Sequence, residues 1–244
     1  GVDCEVEGLG HLPCDQTRFS RDGSDMYRPP RPILVHERVR LVGDYVAMVV
    51  AETAAVARDA AERVKVDYDP LPAVTNPATA AEANAPQLWE DCPGNECFFH
   101  EDGDREAVNS AFNEAYLEVS RCFTISRVTA APMGPRGCIG SYDASEDRYT
   151  LHTGVQQAHM MRTQLAVKIF GLPETQLRII APDIGGSFGL YSNVYPEDAL
   201  VLWASKRCGR PVKWIGERSE CMMSDDSARD NVSEAALALD ATGK

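Results

Sequence analysis

The feature that most constrains this chain is the run Ala181-Pro-Asp-Ile-Gly185-Gly-Ser-Phe-Gly189-Leu-Tyr-Ser192. It follows the apolar segment from Gln176 to Ile180, which reads as a strand. Glycine in such a turn signals a left-handed backbone or the close approach of another group. A strand running into a glycine-rich turn is also how phosphate loops are built. The dinucleotide pattern G-x-G-x-x-G is absent, because Gly185 to Gly189 reads G-G-x-x-G and the next helix waits until Pro196. No Gly-Lys-Ser or Gly-Lys-Thr occurs, so the Walker pattern fails as well. Two readings remain from these residues alone: a tight packing turn, or a bare backbone facing a ligand.

The surrounding sequence predicts an α+β protein. Val39 to Val42 and Tyr45 to Val50 read as strands joined at Gly43-Asp44. Thr53 caps a helix to about Val64, with Val56, Ala60 and Val64 on one side. Val64 to Tyr68 completes a β-β-α-β unit, while residues 1–32 read as irregular. Residues 83–103, rich in Ala, Asn, Pro and acids, read as a linker between a domain at 1–82 and another at 104–244. In the second, Asp104 caps a helix to about Ala115 whose apolar stripe includes Val108 and Phe112. Strands are expected at 117–125, 136–142 and 148–153, then a helix from Ala158 ended by Gly171 and Pro173. Pro196-Glu-Asp suits the start of a further helix, the two acids facing the positive end of its dipole, with Gly209 as C-cap. Pro211 to Ile215 returns as a strand.

A net charge of −13 argues against a nucleic-acid or anionic-membrane partner. No apolar run approaches the length of a membrane span. Eight scattered cysteines in a chain of 244 residues point to a reduced, cytoplasmic protein rather than a disulfide scaffold. Cys92, Cys97 and His100 fall one residue type short of the plant-type iron–sulfur run, and loop cysteines are the favoured reading.

The glycine run does not stand alone. Upstream lies Thr153-Gly-Val-Gln156-Gln-Ala-His159-Met-Met-Arg162. Downstream come Tyr195-Pro-Glu197, Gly209 to Trp214, Glu217-Arg218-Ser-Glu220 and Ser227-Ala-Arg229-Asp230. With Val39 to Ala51 and Val66 to Ala73, this order resembles the large subunit of the molybdenum hydroxylases, the xanthine oxidase and aldehyde oxidase family. Within it, the carbon monoxide dehydrogenase type of large chain is most similar. The resemblance implies part of an a/b hammerhead domain whose front is missing at 1–82. It implies the N-terminal part of a molybdopterin-binding α+β domain at 104–244.

It further implies a molybdenum–molybdopterin cofactor in the cytosine dinucleotide form, contacted by Gln156, Gly186, Phe188 and Gly189 and with no direct metal ligand from this chain. Gln156 matches a glutamine whose amide donates to an oxo ligand without adding charge. His159 and Arg162 match the pattern with either a helix-face or a pterin-phosphate role, and Arg229 is expected to form a structural ion pair. No catalytic residue is expected here, because the family's general-base glutamate falls beyond residue 244. FAD and [2Fe-2S] are expected on partner subunits or domains, beside the remainder of the molybdopterin subunit or a second molybdopterin chain. The implied reaction is oxidation of an aldehyde, an N-heterocycle or carbon monoxide with water-derived oxygen, this chain alone being inactive. A non-catalytic structural or interaction homologue is the alternative. Gly134 stands where the family usually carries glutamate, a lost carboxylate. Ser192 stands where the purine-oxidising branch has a substrate-binding glutamate, which disfavours purines.

Overall fold

The computed structural model describes residues 1–244. In chain order its elements are α1 (Val2–Val6), α2 (Ala54–Ala61), α3 (Arg105–Asn113), β1 (Leu117–Ile125), β2 (Gly137–Asp143) and β3 (Arg148–Thr153). There follow α4 (Ala158–Thr163), β4 (Leu177–Ile180), α5 (Pro196–Cys208), β5 (Val212–Ile215), α6 (Arg218–Ser224) and β6 (Asn231–Leu239). They fall into two compact units interleaved along the chain. The first contains Gly1–Cys14, Pro30–Asp69 and Thr129–Asp226; the second contains Asp15–Pro29, Pro70–Val128 and Ser227–Lys244. No helix is long and apolar enough to cross a membrane.

The first unit is built on a four-stranded sheet in the order β4-β3-β2-β5. β3 pairs antiparallel with β2 and parallel with β4, and β2 pairs antiparallel with β5. α5 lies against β2, β3 and β5 and is buried along most of its length, with Ala199, Val201 and Leu202 fully enclosed. Its boundaries follow from local chemistry. Pro196 occupies the first turn, the Asp198 carboxylate accepts from the Tyr195 N–H, Lys206 and Arg207 fill the last turn, and Gly209 turns left-handed at φ 62°. Leu151, Leu165 and Ile169 complete the core beside it. Leu165 and Ile169 belong to the wider π turns, Gln164–Ile169, that prolong α4.

Gly140 sets how closely α5 approaches the sheet. A Cβ added there would lie 2.6 Å from the carbonyl carbon of Val201 and 2.7 Å from the Leu202 nitrogen. Gly140→Ala is expected to destabilise the fold by about 1–3 kcal/mol through overpacking. A urea midpoint equal to that of the parent would mean that α5 slides outward freely.

The β-β-α-β unit expected over 39–68 forms only its helix. Thr53 caps α2 as anticipated, accepting from the Val56 N–H at 3.2 Å. The segments 39–42, 45–50 and 64–68 are not strands. A strand needs a neighbouring backbone for its ladder, and the one such bond here runs from the Val35 N–H to the Tyr45 carbonyl at 2.7 Å. Val39, Val42, Val50, Val64 and Val66 are accordingly exposed, as is Val56 on α2. Residues 1–32, expected to be irregular, include the five-residue α1, which buries Cys4.

In the second unit, β1 pairs antiparallel with β6 in one unbroken register from Leu117↔Leu239 to Ile125↔Asn231. Asp104 caps α3 by accepting from the Ala107 N–H at 2.9 Å. The apolar stripe anticipated on that helix is present in sequence but not buried, with Val108 about half exposed. Every residue of β1 is also exposed.

Candidate cofactor site

The glycine run opens directly from β4, and its three glycines serve two different ends. Gly186 and Gly189 take left-handed backbone at φ 101° and 96°. Gly185 answers to close approach instead: a Cβ on it would lie 2.6 Å from the Gly134 nitrogen and 2.8 Å from the Gly134 Cα. The Gly134 N–H donates to the Gly185 carbonyl at 3.2 Å. Gly134 is therefore more than a lost carboxylate. It is one half of a glycine–glycine contact that fixes the loop, and a side chain there would crowd Gly185 at 3.1 Å.

Phe188 is also left-handed, at φ 53°, an uncommon and costly state for an aromatic residue. The residue is 80% exposed. None of the backbone N–H groups from Gly185 to Gly189 donates within the chain. A run of free N–H groups punctuated by left-handed residues suits oxyanions and oxo groups.

Gln156 joins this loop from the connection between β3 and α4. Its N–H donates to the Tyr191 carbonyl at 2.9 Å, and its side-chain Oε1 accepts from the Ser192 hydroxyl at 2.7 Å. Gly154 makes that approach feasible, since a Cβ there would sit 2.9 Å from the Tyr191 ring. The loop carrying Gly134 is held in turn by Arg218 on α6. Its guanidinium donates to the carbonyls of Pro132 at 2.8 Å and Met133 at 2.7 Å.

Beneath the loop lies a charge cluster that sequence reasoning missed. Arg136 is 2% exposed and its guanidinium is fully engaged. Nε donates to Asp225 at 2.7 Å, one terminal nitrogen pairs with Glu197, and the other donates to the Ser224 hydroxyl at 2.5 Å. The guanidinium also stacks 3.8 Å from the centre of the Tyr195 ring. The Tyr45 hydroxyl donates to the second oxygen of Glu197 at 3.0 Å. Asp198 accepts from the Thr153 hydroxyl at 2.8 Å and from the Tyr195 N–H at 3.1 Å. Glu197 and Asp198 were anticipated as acids facing a helix dipole. Both are buried, and Glu197 is the partner of a cation from β2's entry.

One guanidinium faces three carboxylates here, so protons are held tightly. Burial, with Asp198 alongside, pushes Glu197 up to about 7 against the pull of Arg136. Burial raises Asp198 to about 6 against its hydrogen bonds from Tyr195 and Thr153. Burial also raises the Tyr45 and Tyr195 hydroxyls and the Cys138 thiol, which stay protonated and inert.

The other anticipated residues fall elsewhere. Arg162 is committed to Glu174 through Nε at 2.9 Å and a terminal nitrogen at 2.6 Å, and Thr163 donates to the same carboxylate. His159 is exposed on α4. Arg229 does not form the expected ion pair. It is exposed at φ 72°, and the pair in that place is made by its neighbour Asp230 with Arg127 at 2.6 Å. Cys92 is buried and His100 exposed, and no three metal-ligating side chains converge in the chain.

Comparison with known proteins fits this geometry. The profile of the molybdopterin cofactor-binding domain matches residues 88–244. That of the aldehyde oxidase and xanthine dehydrogenase a/b hammerhead domain matches residues 14–72. The chain belongs to the molybdopterin-binding aldehyde oxidase and xanthine dehydrogenase family. It is 35% identical over 224 residues to the carbon monoxide dehydrogenase large chain of Hydrogenophaga pseudoflava, covering 87% of this chain and 28% of that one. It is 34% identical to the nicotine 6-hydroxylase large subunit of Paenarthrobacter nicotinovorans, covering 87% of this chain and 26% of that one. Among solved structures, reconstituted CO dehydrogenase from Oligotropha carboxidovorans matches at a TM-score of 0.85 and 32% identity, over 98% of this chain and 30% of the other. The chain thus spans less than a third of the length of these relatives. The residues present fit the family's cofactor: the donors that face outward are neutral N–H groups, suited to oxo ligands.

Proposed function

We propose that this chain forms one wall of the molybdopterin-cofactor site in a molybdenum hydroxylase, through Gln156, Gly186, Phe188 and Gly189. The carrying observation is the Gln156 amide. Its oxygen is taken by Ser192, which leaves its NH2 group to donate beside the free N–H groups of the glycine loop. When bound, the cofactor supplies two-electron oxidation with transfer of water-derived oxygen to a small substrate, an aldehyde, an N-heterocycle or carbon monoxide. The chain's own residues hold and orient: neutral donors meet oxo groups without bringing a competing charge, and Phe188 offers an apolar face. The proton-accepting glutamate belongs to the remainder of the subunit or to a second molybdopterin chain. Electrons leave through iron–sulfur and FAD subunits in a cytoplasmic complex, and the cofactor takes its cytosine dinucleotide form. The domain boundaries are read as 1–82 and 104–244 about a linker.

A non-catalytic homologue is the second reading, and the missing carboxylate at Gly134 favours it. Expressed alone, the chain is expected to carry no substantial molybdenum and to oxidise no aldehyde. Purified with its partner chains, it is expected to carry molybdenum, iron and flavin. Elemental analysis with intact mass separates the cases. Stoichiometric metal on the isolated chain contradicts the single-wall reading, and a metal-free complex leaves the non-catalytic one.

A further inference from the structure

We infer that Ser192 is a positioning residue that sets which end of the Gln156 amide faces the cofactor. The inference rests on the reading of Gln156 as a cofactor donor. A carboxamide has two nearly isosteric ends, one a double donor and the other an acceptor only. An oxo group accepts and cannot donate, so an amide presented oxygen-first sets two lone pairs against each other. Gln156 is exposed, and its backbone N–H to Tyr191 fixes the position of its main chain but not the rotation of its amide. The amide is placed with Oε1 against the Ser192 hydroxyl, which donates to it at 2.7 Å. That leaves both amide protons for an acceptor outside the chain.

Ser192 is itself well placed for this role. Its N–H donates to the Gly189 carbonyl at 3.1 Å, in the short 3-10 turn Leu190–Ser192 that closes the glycine loop. The Tyr191 N–H is tied back to the Ser187 hydroxyl at 3.1 Å. The residue that orients Gln156 therefore moves with the loop whose N–H groups share its task. A serine here reads as part of the donor surface rather than as the mere absence of a substrate-binding carboxylate.

The test uses the protein purified with its partner chains, as parent, Ser192→Ala, Ser192→Thr, Gln156→Ala and the Ser192→Ala/Gln156→Ala double variant. Molybdenum retained after dialysis and the Mo(V) electron paramagnetic resonance spectrum are read for each. Loss of an outer hydrogen bond to a residue that ligates a metal costs about 10–100-fold in metal affinity, and Gln156, which meets the cofactor without ligating the metal, falls at the low end of that range. Ser192→Ala is expected to release molybdenum about tenfold faster and to alter the spectrum. Ser192→Thr keeps the hydroxyl and is expected to match the parent. The double variant is expected to be no worse than Gln156→Ala alone, because Ser192 acts through that amide. If Ser192→Ala matches the parent while Gln156→Ala sheds metal, the positioning role fails and the reading of Gln156 stands. Additive losses also refute the role. If both single variants match the parent, or the complex holds no molybdenum, the reading of Gln156 falls and this inference with it.

Discussion

Replacing Arg136 by methionine is expected to cost about 3–5 kcal/mol of folding stability at pH 8, the usual consequence of stranding buried charge. The guanidinium balances Glu197 and Asp225 directly, and both acids remain enclosed when it is gone. The loss is expected to shrink at lower pH. In the parent, Glu197 and Asp198 bind protons more tightly when folded than when unfolded, with folded values of about 7 and 6. That contribution is complete below the ordinary carboxylate range and is lost as pH rises through about 6 to 7. Without Arg136 the folded values rise further, so the same window extends upward. Urea midpoints at pH 5.5 and 8 measure this directly, and a deficit that does not change between them contradicts the account. Adding Glu197→Gln and Asp225→Asn is expected to restore much of the loss, because neutral groups need no cation.

Gly185→Ala is expected to act on the glycine loop rather than on the core. The new methyl would meet the Gly134 nitrogen at 2.6 Å and its Cα at 2.8 Å. Both are backbone atoms, and the 132–134 segment is held from behind by Arg218. The two loops must part, at about 1–3 kcal/mol. Gly189→Ala provides the contrast. It opens onto empty space, so its cost comes from left-handed backbone alone, about 1 kcal/mol. Hydrogen exchange over residues 132–134 and 185–192 is expected to quicken in Gly185→Ala and to change little around 132–134 in Gly189→Ala. Identical exchange in the two variants would remove the glycine–glycine contact from the account.

How much of this was legible in the sequence depended on how local each cause is. α5 was readable because proline, acids, bases and glycine mark its ends within one turn of the chain. β4 was readable as a short apolar run, and β2 and β3 as segments set between turn-forming residues. The supposed strands at 39–42, 45–50 and 64–68 show the limit. Side-chain pattern states a preference for a pleated surface, whereas a strand also requires a neighbouring ladder that no local pattern specifies. β6 was missed for a related reason, since its pairing with β1 joins distant parts of the chain.

The site divides in the same way. The loop glycines and Gln156 stood out by spacing and by the resemblance they carried. Arg136 did not, because its partners are 61 and 89 positions away and an arginine after proline looks like an ordinary surface residue. The Gly134–Gly185 contact was equally hidden. It gives Gly134 a structural role that the sequence alone did not show.

Arg218 carries a consequence of its own. It touches none of the residues proposed to meet the cofactor, yet it grips the carbonyls of the two residues before Gly134, against which the glycine loop is braced. Drift on α6 will therefore be felt as retuning at a distance: relatives can keep every loop residue and still differ in how open that loop stands. Selection acting on α6 has a handle on the glycine loop through the segment that Arg218 holds.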